Sequence, residues 1–309
     1  MNQFEELQTF IQVVDTGSIS RAADRLAVAK SAVSRRVSDL EQRLGVQLFR
    51  RTTRRLNLTD SGKSFYERAS RILEDLKEAE IAVSQQHAAL TGRLKIAAPL
   101  TFGLLHLGPA IVDFNKQHPD IQFDVDFNDR QIDILEEGFD MAVRIAELPD
   151  SSLIARKIAP VKLTLCASPD YLKNHGTPDK PQDLLNHRCL VYRNITDFNQ
   201  WKFKDANGET VSVKVPIGIS ANNGDFLVTA AVAGQGIVLT PNFITYKSLA
   251  SGELVPLLNQ YQPSSINAYA IYPQTRHLSH RVRAFVDYLV SRFEGVPYWD
   301  AFNSGSSQR

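Results

Sequence analysis

Apolar residues recur at helical spacing over the first sixty positions and mostly at strand spacing beyond position 93, so the pattern itself divides the chain. Phe4, Leu7, Phe10, Ile11 and Val14 predict a first helix, which DTGS at 15–18 breaks. A second helix starts at Ser18 or Ser20, either hydroxyl being a suitable cap. It turns Ala22, Ala23 and Leu26 inward, small residues that let two helices cross closely. AVA at 27–29 makes the turn. In the next helix Val33, Val37, Leu40 and Leu44 form one stripe, while Lys30, Ser31, Ser34, Arg35 and Ser38 lie about 120° around the axis. Residues 18–44 therefore predict a helix-turn-helix.

From 61 to 90 a long helix is predicted, with no Gly or Pro after Gly62. Phe65, Ala69, Ile72, Leu76, Ala79 and Val83 are separated by steps of four and three, with Leu90 further on. An amphipathic helix on a globular core fits this rhythm. Its position between two unlike regions, with mixed charges on its other faces, favours a dimerising coiled coil. LTGR at 90–93 ends it.

Beyond 93, LKIAAP, IQFDVDF and DMAVRI read as strands separated by two helices, FGLLHLGPAIVDFNKQHP, stopped by Pro119, and QIDILEEG, closed by Gly138. This β-α-β-α-β order predicts a mostly parallel sheet with right-handed crossovers. VKLTLCA, CLVY, WKFKDANGETVSVKV with its Asn-Gly turn, IGISA, FLVTAAVAG and GIVLTP form a second strand-rich unit. INAYAIYP and a closing helix at 279–294 return to the first. Two α/β lobes with a cleft between them are the economical arrangement.

Composition changes this only through charge. The 309 residues, 43% hydrophobic and 22% charged, suffice for two or three domains with cores. Net charge is +1, which supplies no whole-chain attraction to a polyanion. Residues 30–55, however, hold Lys30, Arg35, Arg36, Arg43, Arg50, Arg51, Arg54 and Arg55 against Asp39 and Glu41, a net of +6 that leaves −5 elsewhere. Clustered arginines beside a polar helix face repel one another unless a polyanion is present, and lysine, arginine and serine are residues that contact base edges and phosphates. MNQFEELQTF has no basic leader, and no stretch approaches a membrane span, which predicts a cytoplasmic protein with no membrane partner. Cys166 and Cys189 sit in apolar segments and predict buried thiols, with a redox sensor as the alternative. G-x-S-x-G, P-loop, H-E-x-x-H and strand-linked G-x-G-x-x-G motifs are absent, which argues against an enzyme. His277 and His280 lack further ligands, so no metal or cofactor is expected.

SISRAADRLAVAKSAVSRRVSDLEQRLGVQLFRRTTRRLNLTDSG resembles the signature of the LysR-type transcriptional regulators, and the likeness runs through nearly the whole chain. APLTFGLLHLGPAIVDF, LPDSSLIARK, CASPDYL and ANNGD resemble the CrgA-like branch of that family. The resemblance implies a winged helix-turn-helix at 1–60 and a dimerising linker helix at 61–90. It further implies a two-lobed, periplasmic-binding-protein-like α/β effector domain, with lobe I at 93–167 and 266–309 and lobe II at 168–265. It puts Lys30 and Ser31 where the family places its base-reading pair, Ser34 and Arg35 where it meets base edges or phosphates, and Arg51 and Arg54 in the wing near the minor groove. The family's usual Ser-Gln-Pro is here Ala29-Lys30-Ser31, which removes the capping hydroxyl, leaves Ser31 as the candidate cap, and shifts base preference from adenine towards guanine.

In open α/β sheets ligands bind beyond the carboxyl ends of strands, where helix N-termini present free N–H groups. AAPLTFG at 97–103 and ANNGDF at 221–226 both end a strand and open a helix. The resemblance implies that Pro99, Leu100, Thr101, Phe102, Asn128, Arg144, Tyr192, Trp201, Asn222 and Asn223 face the inter-lobe cleft. Helix capping alone is the competing account of Thr101, Asn222, Asn223 and Asp225. Two helix N-termini and an arginine suit a small polar or anionic organic effector. The expected partners are thus double-stranded DNA, that effector, and further copies of the chain as homodimer and homotetramer. Two rival readings are a solute-binding or catalytic α/β protein with a helical interaction module, and a regulator switched by cysteine oxidation.

Overall fold

The computed structural model describes residues 2–51, 56–84, 90–130, 132–146, 153–264, 266–274 and 278–300. The chain forms two compact units, Met1–Gly92 and Arg93–Arg309.

The first unit is α1 (Gln3–Thr16), α2 (Ile19–Leu26), α3 (Lys30–Leu44), an antiparallel pair β1 (Phe49–Arg51) and β2 (Leu56–Leu58), and α4 (Asp60–Ser84). The predicted apolar stripes close one core of Phe10, Val13, Ala22, Ala23, Val33, Val37, Leu40, Leu48 and Phe49. Phe10 meets Phe49 and Phe65 with ring centres 5.4 Å apart, which ties α1 to the strands and to α4. At the start of α4 the Thr59 hydroxyl accepts from the Gly62 N–H at 2.9 Å. Gly62 is required there, because a Cβ would stand 2.1 Å from the Leu48 carbonyl oxygen. Ile72 and Leu76 are exposed on α4; the side chains of Ala79 and Val83 lie outside the described residues.

The second unit contains two five-stranded sheets. The first has the order β4 (Ile121–Phe127), β3 (Gly92–Ala98), β5 (Met141–Ala146), β15 (Ile266–Pro273), β6 (Leu153–Val161). The second has the order β11 (Ile217–Ala221), β8 (Cys189–Tyr192), β12 (Ile237–Pro241), β7 (Leu163–Ala167), β13 (Val255–Pro256). A hairpin of β9 (Gln200–Lys204) and β10 (Thr210–Lys214), joined by β14 (Gln262–Pro263), covers one face of the second sheet. Helix α8 (Gly224–Val232) packs on the other face and α9 (Asn242–Ser251) beside it. In the first lobe α5 (Leu100–Phe102) runs through a π-turn, Gly103–Leu107, into α6 (Gly108–Gln117). Helix α10 (His280–Arg292) packs there through Phe285 against Phe114. Helix α7 (Pro169–His175) belongs to the second lobe.

Three expectations change. The sheets are mixed: β3 with β5 and β8 with β11 and β12 are parallel, but β15 returns late and pairs antiparallel to both β5 and β6, and β7 runs antiparallel to β12. Residues 132–138 of QIDILEEG form a turn and not a helix. The Asp133 carboxylate accepts from the Leu135 and Glu136 N–H groups, a local turn that competes with helix, and Gly138 at φ 72° ends it. ANNGDF opens a helix as expected, α8, which takes up the first seven residues of FLVTAAVAG. The boundary of lobe I at 167 is corrected to Val161, because β7 pairs with β12 and β13 in the second sheet.

Candidate nucleic-acid interface and inter-lobe cleft

Ser18 caps α2, its hydroxyl accepting from the Arg21 N–H at 3.4 Å. Ala27 makes the turn in the left-handed region at φ 51°. Helix α3 begins at Lys30 with Ala29 as its N-cap and no capping side chain; Ser31 does not take over that role, since it already lies inside the helix. Free N–H groups are therefore left at the end that carries Lys30 and Ser31. Lys30, Ser31, Arg35 and Ser38 are exposed and Ser34 is half-buried, on the face turned from Val33, Val37 and Leu40. The Arg35 side chain is 80% exposed, and its Nε stands 3.7 Å from Asp39, a distance that leaves the guanidinium available.

The cluster of positive charge divides in two. Arg43 donates from Nε and Nη2 to the Glu6 carboxylate at 3.1 and 2.8 Å, and Glu6 is only 3% exposed. Arg36 donates to Glu5 at 2.8 Å. Both arginines tie α3 to α1, Arg36 half-buried and Arg43 with part of its side chain still exposed. Sequence reasoning missed this because the partners are 37 and 31 residues apart and carry no periodic signal. Arg50 is exposed on β1. Arg54 and the side chain of Arg51 lie outside the described residues, between or at the ends of the two short strands.

In the second unit the two lobes meet through directed hydrogen bonds. The Thr101 hydroxyl of α5 donates to Asp225 Oδ2 of α8 at 2.5 Å, and the Asn194 side-chain amide donates to the Asp129 carbonyl at 2.8 Å. The Asp129 carboxylate accepts from the Leu100 N–H at 3.0 Å, and Asn223 caps α8 by accepting from the Phe226 N–H at 2.9 Å. Burial raises Asp129 above the ordinary carboxylate value, the Leu100 N–H lowers it, and the Asp225 charge raises it further. Burial, and then the Asp129 charge, push the Tyr192 hydroxyl up to about 12.

This geometry sorts the expected cleft residues. Pro99, Leu100, Thr101, Asn128, Tyr192 and Asn223 gather around the junction; Asn222 is exposed on the loop before α8. Phe102 and Trp201 do not belong there. Phe102 is enclosed by Phe243, Phe293 and Trp299, and Trp201, 6% exposed, lies in the second lobe's core opposite Val213. Arg144 donates from one Nη to the Ile132 carbonyl at 2.6 Å, which turns that edge of its guanidinium to the first lobe. The Asp129 carboxylate occupies the N-terminus of α5, Asn223 caps that of α8, and the Asp129 and Asp225 carboxylates line the junction. Asp129 and Asn194 were missed, and their only signal was a position just past a strand end.

Cys166 and Cys189 are buried on adjacent partners of β12 but face opposite sides of the sheet, and burial pushes each thiol up to about 12. That geometry opposes the oxidation-switch reading. His280 opens α10, and His277 lies outside the described residues. Among the described residues no group of three or more His, Cys, Asp or Glu could hold a metal ion, and no helix is long and apolar enough to cross a membrane.

Two family models cover the two units: the bacterial regulatory helix-turn-helix protein, lysR family, matches residues 4–63, and the LysR substrate binding domain matches 87–294. The chain belongs to the LysR family of transcriptional regulators, and its relatives are regulators rather than enzymes. It is 37% identical over 287 residues to the HTH-type transcriptional regulator CrgA of Neisseria meningitidis serogroup B, covering 93% of this chain and 95% of that one. It is 36% identical over 316 residues to an HTH-type transcriptional repressor of Pseudomonas aeruginosa, covering all of both. The solved structure of CrgA matches 94% of this chain and 99% of its own with a TM-score of 0.61.

Proposed function

We propose that the exposed face of α3 reads operator base edges through Lys30, Ser31, Ser34 and Arg35, while Arg50 and the wing arginines Arg51 and Arg54 hold phosphates or the minor groove. The observation that carries this is the division of the basic residues: Arg36 and Arg43 are tied to carboxylates of α1, whereas Lys30 and Arg35 are exposed on one helix face, Arg35 with only a long i,i+4 ion pair to Asp39. Exposed Ile72 and Leu76 on α4 support pairing into a homodimer, which presents two reading helices to a partly palindromic site, with a homotetramer formed from such dimers in the cytoplasm. The test is binding to operator fragments selected from genomic DNA. Lys30→Ala relaxes choice at one base position, costing about 1–3 kcal/mol there. Arg50→Ala weakens specific and random duplexes alike and lowers the salt slope by about one contact. Parental behaviour in both variants overturns the assignment.

The effector is a small organic molecule bound between the lobes at Thr101, Asp129, Tyr192 and Asp225. The two carboxylates favour a neutral or cationic guest rich in hydrogen-bond donors over an anion. Such a guest replaces the Thr101 to Asp225 bond and biases lobe closure, because only differential affinity for the two geometries shifts their populations. A thermal-shift screen of matched amines and carboxylates, followed by titration with and without operator, tests both parts. Linkage requires equal reciprocal factors in the two titrations.

A further inference from the structure

The chain passes between the lobes at Lys162, which stands directly between Val161 of β6 and Leu163 of β7. Three consecutive side chains near the end of the described chain converge on that crossing and on both lobes. The Asp300 carboxylate, 3% exposed, lies 3.2 Å from the Lys162 ammonium and also accepts from the Asn242 side-chain amide at the start of α9. The Asn242 N–H in turn donates to the Lys162 carbonyl at 2.8 Å. Helix α9 has Pro241 as its N-cap and no capping side chain of its own, so Asp300 places negative charge at an otherwise uncapped positive end. Trp299, 1% exposed, packs on Phe102 and Phe293 of the first lobe and on Phe243 of the second, with ring centres 6.0, 5.6 and 6.3 Å away.

The third side chain reaches the helix that lines the cleft. His106 lies in the π-turn five residues after Thr101, and its Nε2–H donates to the Phe243 carbonyl at 3.2 Å. A carbonyl only accepts, so Nδ1 is left as the acceptor for the Tyr298 hydroxyl. Burial holds this imidazole down at about 4, which keeps that tautomer in place at neutral pH. Rotating one lobe against the other must break the His106 to Phe243 bond, or the Asp300 bonds, or both.

We propose that Tyr298–Asp300 is a strap that locks the two lobes of this chain in one relative arrangement through Lys162, Asn242 and His106. Tyr298 is 49% and the neighbouring Val296 72% exposed, so the strap reaches the surface at one end, while Trp299 and Asp300 are buried at the seam between the lobes and leave it when the strap lifts. It acts on the same helix that carries Thr101, so releasing it loosens the cleft without touching any cleft residue.

The test is a distance measurement in the full-length chain, with spin labels on cysteines substituted at exposed Lys116 and Lys173, one in each lobe, and labelled chain diluted into unlabelled chain. The native cysteines are buried and stay unlabelled. The parent gives one narrow distance. Asp300→Asn and Lys162→Met each add a second population, and the double variant adds no more than either alone. Tyr298→Phe keeps the ring packing and gives a smaller change in the same direction, which decides the matter should Asp300→Asn not fold. A parental distance distribution in the folded variants, even with lower melting temperatures, overturns the proposal and leaves the segment as packing alone. The measurement involves no effector and no DNA, so its outcome is separate from that of the proposed effector site.

Discussion

The two units place their polar groups in opposite ways. In the first, Lys30, Ser31, Ser34 and Arg35 come from one and a half turns of a single helix and face outward with unspent donors. In the second, the polar groups at the lobe junction are bound to one another, and their partners are distant in sequence: Thr101 and Asp225 are 124 residues apart, His106 and Tyr298 192 apart. A surface that reads a polyanion gains from donors left for the partner on a rigid element. A junction between lobes gains from internal bonds, because a ligand that replaces them changes the lobe geometry as it binds.

The largest effect that would break this comparison lies inside the first unit. Arg43→Ala leaves the buried Glu6 carboxylate without these two donors and destabilises the unit by about 3 kcal/mol, the low end for a buried pair because Arg43 is 40% exposed, read by hydrogen exchange of α1 and α3 amides in the full chain. Arg35→Ala changes that exchange by no more than about 0.5 kcal/mol and weakens DNA binding instead. Equal losses of stability would erase the division between inward and outward arginines.

Next comes the pH dependence of the second unit. The folded His106 binds its proton only near pH 4, against 6.5 ordinarily, so the unfolded chain binds more protons between those values. The contribution is complete above pH 6.5 and is lost as pH falls towards 4, up to about 3 kcal/mol. His106→Gln should flatten that part of the melting profile, and an unchanged slope would show that the imidazole is not sealed as its packing indicates.

A smaller effect sharpens the junction itself. Thr101→Val and Asp225→Asn, combined in a double-mutant cycle on urea unfolding, should show coupling of about 1.5 kcal/mol, the low end for a hydrogen bond to a charged group, because Asp225 is exposed. Additive losses would mean that the two lobes do not hold each other there. Smallest is Ala27→Gly in the turn before α3. It relieves about 1–2 kcal/mol of left-handed strain against about 0.4–1 kcal/mol of added chain entropy, so a gain between zero and about 1.6 kcal/mol, centred at about 0.8 kcal/mol, is expected in the melting of the first unit.

Periodicity alone determined the helices of the first unit and the face that α3 turns to solvent. Those features depend on which residues avoid water along a regular element, and that is written locally. The long LysR-type signature likewise identified the family. What only the tertiary structure decided is which charges are already engaged. Arg36, Arg43 and Arg144 look as free in the sequence as Arg35, and Phe102 and Trp201 look as available to a ligand as Tyr192. Their fates depend on which carboxylate, carbonyl or ring the fold brings alongside, across separations where no period survives. A buried polar group must find a partner wherever one exists, so the choice belongs to the packed chain and not to the pattern of its neighbours.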